Sequence, residues 1–300
     1  MYIFVNKLLQ VNYIDSFSFI DRFWITLSTT SILRNKIMAG PSKTTIIYNN
    51  AAAYDEMMGA WSQLLGSQFI NWLNPAINKK WIDIGCGTGA FTEQIFNKCA
   101  PTNIIGIDPS KEQIEFATNR FSSNNLDFKI GDAMSLPFDK NYFDFATMAL
   151  VLFFVPDPLT GVKEMVRVVK PGGSISAYVW DVYGGGLPVE VVHFGLREMN
   201  IDYPIPPSAE ASKMANLNEL WSTAGLKEIE SRKIIAHRTF SNFDELWKIS
   251  LKSPALQPVL NRINNNKLTK LKLIVKENLV TDTDGTVTYA AHSNAIKGIV

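Results

Sequence analysis

The sequence predicts an α/β protein built on a doubly wound sheet, and three observations carry that prediction. Trp81 and Ile82 open an apolar run that breaks at D-I-G-C-G-T-G, residues 83–89, and a helix-compatible stretch, A-F-T-E-Q-I-F-N-K, follows at once. Beyond it, short apolar runs alternate with segments of helical spacing, the pattern of strands joined by crossover helices. Hydrophobic residues make up 46% of the 300, enough to fill one large core.

From Ala90 the first helix of this region runs to about Cys99. N-I-I-G-I-D is then a short buried strand ending in Asp108. Ser110, with Gln113 three residues on, has the spacing of a capping box, and Ile114, Ala117 and Phe121 supply an apolar face. Strand three is L-D-F-K-I-G-D, ending in Asp132. Y-F-D-F-A-T-M-A-L-V-L-F-F-V, bounded by Asn141 and Pro156, reads as a central strand covered on both faces, with Ala149 and Leu150 near its end. Asp157 and Pro158 form an N-cap and first helical residue; Leu159, Val162, Val166 and Val169 recur at helical spacing, and V-V-K-P-G-G closes the helix. S-I-S-A-Y-V-W is the fifth strand and stops at Asp181.

After Asp181 the expected order is a flexible turn at Y-G-G-G-L-P, a helix from Val189 to Met199, a proline-rich loop at Y-P-I-P-P-S, and a helix ending at Ala224 and Gly225. Lys227 to Ile235 reads as strand six. Thr286 to His292, after the turn at Asp284 and Gly285, reads as strand seven. Helices around Asp244 to Leu251 and Pro258 to Leu279 lie between those two strands.

The glycines of the turn fall at alternate positions, 85, 87 and 89, where the backbone must turn sharply and a ligand can lie without meeting a Cβ. A dinucleotide fingerprint has its third glycine three residues after its second. Here Gly89 follows Gly87 by two, and Asp83 stands two before Gly85. This resembles the S-adenosylmethionine loop of class I methyltransferases. Lys170 to Gly173 resembles the turn before strand five in small-molecule members, and Leu136, Pro137 and Phe138 resemble the family's continuation after strand three. The resemblance runs from about 48 to 181.

It implies a Rossmann-like seven-stranded sheet of order 3-2-1-4-5-7-6 with strand seven antiparallel. It also implies S-adenosylmethionine as cofactor, held by Asp83, Gly85, Cys86, Thr88, Gly87 and Gly89 at the turn. Asp108, with Pro109 after it, would take the ribose hydroxyls, Asp132 and Ala133 the adenine, and Ala149 and Leu150 would border the cofactor. Y-N-N-A-A-A-Y-D-E-M-M-G-A-W, residues 48–61, is similar to a lid segment of the family that methylates ubiquinone and menaquinone rings. By that resemblance Tyr54 covers the methionine end, with Met58 or Trp61 walling the acceptor. An ordinary amphipathic helix docked on the sheet accounts for Met58 and Trp61 equally well.

Composition narrows the function. The formal charge is +1, from 29 basic and 28 acidic residues, so no nucleic-acid groove is expected. Lys267, Lys270, Lys272 and Lys276 alternate with apolar residues, as on the solvated face of a helix. Cys86 and Cys99 make up the cysteine complement, which fits a reducing cytoplasm and excludes a disulfide framework, a zinc spacing and the multi-thiolate chemistry of arsenite methylation. No Asp/Asn-Pro-Pro-aromatic tetrad of DNA amino-methylases follows strand four.

Residues 1–37 are aromatic-rich, yet Asp15, Asp21 and Arg22 interrupt every window long enough to span a bilayer. The expectation is that the native chain begins at Met38 and residues 38–300 form the methyltransferase domain; a lid or membrane-surface segment is the alternative. Residues 182–216 and 241–282 are expected insertions that choose a small, apolar or aromatic acceptor. Methyl transfer from a sulfonium needs a base only if the acceptor must lose a proton; His193 and then Asp181 are the candidates. His237 and His292 are weaker. A non-catalytic cofactor-binding module and, less strongly, a nicotinamide-dependent oxidoreductase are the rivals. The acceptor and the oligomeric state are open.

Overall fold

The computed structural model describes residues 51–121 and 123–300, with side chains from Met57 onward. Among these residues one seven-stranded sheet has the order β3-β2-β1-β4-β5-β7-β6. Helix α1 (Ala51–Leu73) leads into β1 (Lys80–Ile84), α2 (Ala90–Cys99), β2 (Asn103–Asp108), α3 (Lys111–Arg120) and β3 (Leu126–Ile130). Then come β4 (Phe143–Ala149), α4 (Pro158–Val168), β5 (Val169–Trp180), α5 (Glu190–Glu198) and α6 (Met214–Thr223). The chain finishes with β6 (Lys227–Phe240), α7 (Phe243–Ser250), α8 (Gln257–Leu260), α9 (Asn265–Glu277) and β7 (Val287–Ile299).

The local chemistry of the caps is as the sequence predicts. Ser110 Oγ accepts from the Gln113 amide at 3.3 Å at the start of α3. Asp157 accepts from Thr160 N at 3.2 Å and Thr160 Oγ1 at 2.6 Å, with Pro158 in the first turn of α4. The parallel strands β1, β2, β4 and β5 are buried through most of their length, which is why they read as continuous apolar runs. On one face Phe69 of α1 and Phe91 of α2 meet Tyr178 of β5, with ring centroids 4.7 and 5.6 Å away. Trp81 and Phe145, neighbours on β1 and β4, stack at 4.5 Å.

Strand β7 is antiparallel to both neighbours. Its pairing with β5 stops at Trp180 opposite Ser293, while its pairing with β6 continues to Phe240 opposite Val287. Six residues of each hairpin strand, 235–240 and 287–292, therefore project past the carboxyl end of β5, by about 20 Å. That overhang lies beyond the same sheet edge from which the glycine turn leaves β1.

Several boundaries differ from the sequence reading. The run 142–155 is not one strand: it leaves the sheet after Ala149, because Leu150 has φ +63°, and Leu152–Phe154 form a 3₁₀ turn. Strand three ends at Ile130, so Asp132 sits in the following turn, bridged to Ser135. Strands six and seven run to Phe240 and Ile299 rather than Ile235 and His292, because they pair along their full length. The region 258–279 is two helices, since Asn264 caps a new one by accepting from Lys267 N at 3.0 Å. Its lysines do line a solvated face, Leu271 and Val275 being the buried positions. The expected start at Met38 and the side chain of Tyr54 lie outside the described residues. No helix among those residues is long and apolar enough to cross a membrane.

Candidate active site

The glycine turn is anchored to the end of β2. Gly85 N and Cys86 N both donate to Ile107 O, at 2.7 and 2.9 Å, and Gly87 N donates to Asp108 Oδ2 at 3.0 Å. Gly85, Gly87 and Gly89 all have positive φ, at 72°, 53° and 78°. Their surroundings differ. A Cβ on Gly85 would stand 2.4 Å from Val151 Cγ2, and one on Gly89 would stand 2.8 Å from the Phe128 ring, so packing excludes side chains there. A Cβ on Gly87 would meet nothing within 4 Å. The middle glycine thus faces open space between two packed ones, a place where a ligand can touch the backbone.

Two carboxylates flank this space. Asp83 is fully buried; its Oδ2 accepts from Thr92 Oγ1 at 2.7 Å, while its Oδ1 has no hydrogen-bond partner among the described residues. Burial pushes its carboxyl up to about 7, against the Thr92 hydrogen bond and with a further push from Asp108. Asp108 spends one oxygen on Gly87 N and the other on Ser110 N at 2.9 Å. Burial raises it above the ordinary carboxylate range despite those two donors. Cys86 is buried, and desolvation followed by Asp83 and Asp108 holds its thiol well above the usual range. An inert thiol suits a packing role. Thr88 is buried beside it, and Pro109 is exposed.

On the other side of the turn, the positive φ of Leu150 carries Val151 against Gly85, which brings the end of β4 to the loop. Ala149 is half-buried there and Leu150 buried. Asp132 is exposed, with Oδ1 accepting from Met134 N at 2.8 Å, and Ala133 is half-buried beside it. Met58 and Trp61 on α1 are buried, and Trp61 meets Tyr289 of the β7 overhang edge-on at 6.3 Å.

The two candidate bases do not contact the glycine turn. Asp181 accepts from Gly184 N at 2.9 Å and pairs with His292 Nε2 at 3.3 Å and Lys233 Nζ at 3.7 Å. Burial raises its carboxyl, but these partners together hold it below the ordinary range. His193 is buried in a separate cluster with Glu190 and Tyr203, both half-buried, and Arg197, which is exposed. His237 is exposed on β6. Sequence reading missed Thr92, Phe128, Val151, Glu190 and Tyr289. The spacing of Glu190 to His193, one helical turn, was a usable signal; the others are contacts between separate elements that no local pattern carries.

The residues fit a cofactor with hydroxyls and a positive charge: an open backbone cradle at Gly87, an orphaned buried oxygen on Asp83, and an acid at the end of β2. This fold and turn are similar to those of class I S-adenosylmethionine-dependent methyltransferases. Residues 82–177 match the family described as methyltransferase domain. Over 98 residues the chain is 42% identical to demethylmenaquinone methyltransferase of Staphylococcus aureus, a match spanning 32% of this chain and 41% of that one. The chain thus aligns with about two fifths of the length of that curated relative. Among solved structures, the fold is similar to phosphoethanolamine N-methyltransferase 2 of Haemonchus contortus, in a complex with S-adenosylmethionine, with a TM-score of 0.52, 18% identity, and coverage of 83% of this chain and 56% of that one. It is also similar to the YcgJ protein of Bacillus subtilis, with a TM-score of 0.51, 18% identity, and coverage of 78% and 97%.

Proposed function

We propose that this protein transfers a methyl group from S-adenosylmethionine to a small, apolar or aromatic acceptor. The observation that carries the reading is the open face of Gly87 between the packed Gly85 and Gly89, with Asp108 beside it and Asp83 beneath. When bound, the cofactor supplies an electrophilic methyl on a sulfonium. The chain's own task is then to bind, align and exclude water, because the leaving group is neutral.

In this reading the Gly85–Gly89 backbone receives the amino-acid part of the cofactor, and Asp83 fixes the turn through Thr92. Asp108 exchanges its hold on Gly87 for ribose hydroxyls. Asp132 and Ala133 border the adenine, and Ala149 and Leu150 close the far side. Helix α1, with Tyr54 near its start, covers the methionine end. Trp61 and the β6–β7 overhang wall the acceptor side, and the helices inserted at 182–216 and 241–282 select the acceptor. Their aromatic residues, with a near-neutral chain, favour a small molecule over nucleic acid. The two buried free thiols suit a reducing cytoplasm.

Calorimetry with S-adenosylmethionine and with NAD tests the cofactor. Binding of the first alone is expected; NAD binding alone would favour an oxidoreductase. A metabolite extract incubated with methyl-labelled cofactor tests the reaction. Label in small molecules is expected, whereas label confined to protein or RNA, or no transfer at all, overturns the acceptor reading.

A further inference from the structure

The helix after β5 carries a buried polar group that the cofactor site does not use. His193 is 3% exposed, and neither ring nitrogen has a hydrogen-bond partner among the described residues. Leaving a buried imidazole unsatisfied is costly, and such a group needs a reason. Its surroundings are specific. The Tyr203 ring stacks on it at 4.1 Å and 9°, and Glu190 Oε2 stands 3.7 Å from Nδ1. Arg197 spans the group, donating to Glu190 Oε1 at 2.6 Å and to Tyr203 Oη at 2.7 Å.

Position matters as much as composition. Val191 N, on the same helix, donates to Tyr289 Oη at 3.1 Å. Tyr289 is four residues beyond the last β5–β7 pair, and its ring meets Trp61 of α1. The overhang therefore ties α5 to the covering helix, on the sheet edge where the glycine turn lies. The charged and titratable groups around His193 are Glu190 and Arg197 from α5 and Tyr203 from the loop after it, while Tyr289 of β7 bonds the same helix at Val191. Helix α9 meets α5 at Gly195 through apolar Leu271, Ile274 and Val275.

We propose that His193 is the general base for an acceptor bearing a phenolic or enolic hydroxyl, with Glu190 pairing the imidazolium that forms. This rests on the cofactor reading above. The proton of the hydroxyl passes to a ring nitrogen of His193, and the electron pair it leaves, on oxygen or on the conjugated carbon, forms the bond to the methyl carbon. The pair of the carbon–sulfur bond stays on sulfur, and the proton leaves His193 for water after product release. Glu190 is suited to the role: burial raises its carboxyl, but His193 and Arg197 outweigh that and keep it below the ordinary range, hence charged. Tyr203 covers one face of the imidazole, and residues 201–206, which have no regular secondary structure, are the part that yields to admit a flat acceptor.

The test uses the full chain saturated with S-adenosylhomocysteine and 4-nitrocatechol as a chromogenic phenol, titrated against pH by its phenolate absorbance. In the wild type the bound probe should ionise about 1 pH unit or more below the free probe, since a neighbouring base favours its anion. In His193→Gln the midpoint returns to the free value, and in Glu190→Gln it falls between, with S-adenosylhomocysteine affinity unchanged in both. A probe that does not bind, or a shift that survives His193→Gln, overturns the assignment while the cofactor reading stands. A wild type that binds no S-adenosylhomocysteine overturns both.

Discussion

The backbone N–H of Gly87 donates to Asp108 Oδ2 at 3.0 Å, so the middle of the glycine turn is held by the acid expected to grip the ribose. The other oxygen accepts from Ser110 N, which fixes the carboxylate between the turn and the start of α3. Asp108→Ala removes both acceptors. S-adenosylmethionine binding should weaken by about 1 to 3 kcal/mol, a rise of roughly 5- to 150-fold in dissociation constant, from lost charge-assisted hydrogen bonds. Isothermal calorimetry reads this directly, and an unchanged constant removes Asp108 from the site.

Asp83 gives the ligand-free protein a pH-dependent term of known sign. Its folded carboxyl is raised to about 7 from an ordinary 3.8, so between those values the folded chain holds a proton that the unfolded chain releases. The contribution is fully present below about pH 4 and is lost as pH rises through about 7. Asp83→Asn abolishes it while leaving Thr92 an acceptor. Urea midpoints should show the wild type losing stability against the variant from pH 5 to pH 8, on the order of 2 to 4 kcal/mol at 1.36 kcal/mol per unit. A difference that stays flat with pH contradicts the assignment.

Gly89→Ala meets two penalties at once. The new Cβ would stand 2.8 Å from the Phe128 ring, in a backbone with φ +78°. Strain and overpacking should lower stability by about 1 to 3 kcal/mol, seen as a lower melting temperature. Gly87→Ala has the strain without the clash, so it should cost less stability but more cofactor affinity. Equal melting temperatures for the two variants would refute the distinction between a packed and an open glycine.

The parts of this fold that were legible are those whose cause is local. Ser110 and Asp157 announce their helices because a cap bonds three residues away. The alternate glycines announce the turn because positive φ is a property of single residues. What was misread depends on partners far along the chain. Leu150 gives no sign that it will leave the strand at φ +63°, since an apolar run suits a buried strand and a buried 3₁₀ turn equally. Strand seven runs past the expected end at His292 through two polar residues, Ser293 and Asn294. Both are buried in the structure, and Asn294 donates to Ser212 O at 2.9 Å across 82 residues. The proposed lid and acceptor walls draw on α1, α5 and the β6–β7 overhang, and no window of sequence contains all three.

Tyr289 is where those three meet, and Tyr289→Phe isolates the connection. Its hydroxyl accepts from Val191 N in the first turn of α5, while its ring packs edge-on against Trp61 of α1. Burial, followed by the nearby Glu190, holds the phenol neutral by raising it above its ordinary value, so the hydroxyl is un-ionised at any working pH. The substitution keeps the ring and removes the acceptor, which leaves a helix N–H without its partner at an expected loss of about 1 to 2 kcal/mol. The glycine turn and Asp108 are untouched, so S-adenosylhomocysteine affinity should stay at the wild-type value. If α5 and the overhang form the acceptor wall, methyl transfer falls through a raised KM for the acceptor. Calorimetry, thermal denaturation and steady-state kinetics on one variant separate the effects: a loss of cofactor affinity equal to the loss of turnover would place Tyr289 in the cofactor site instead.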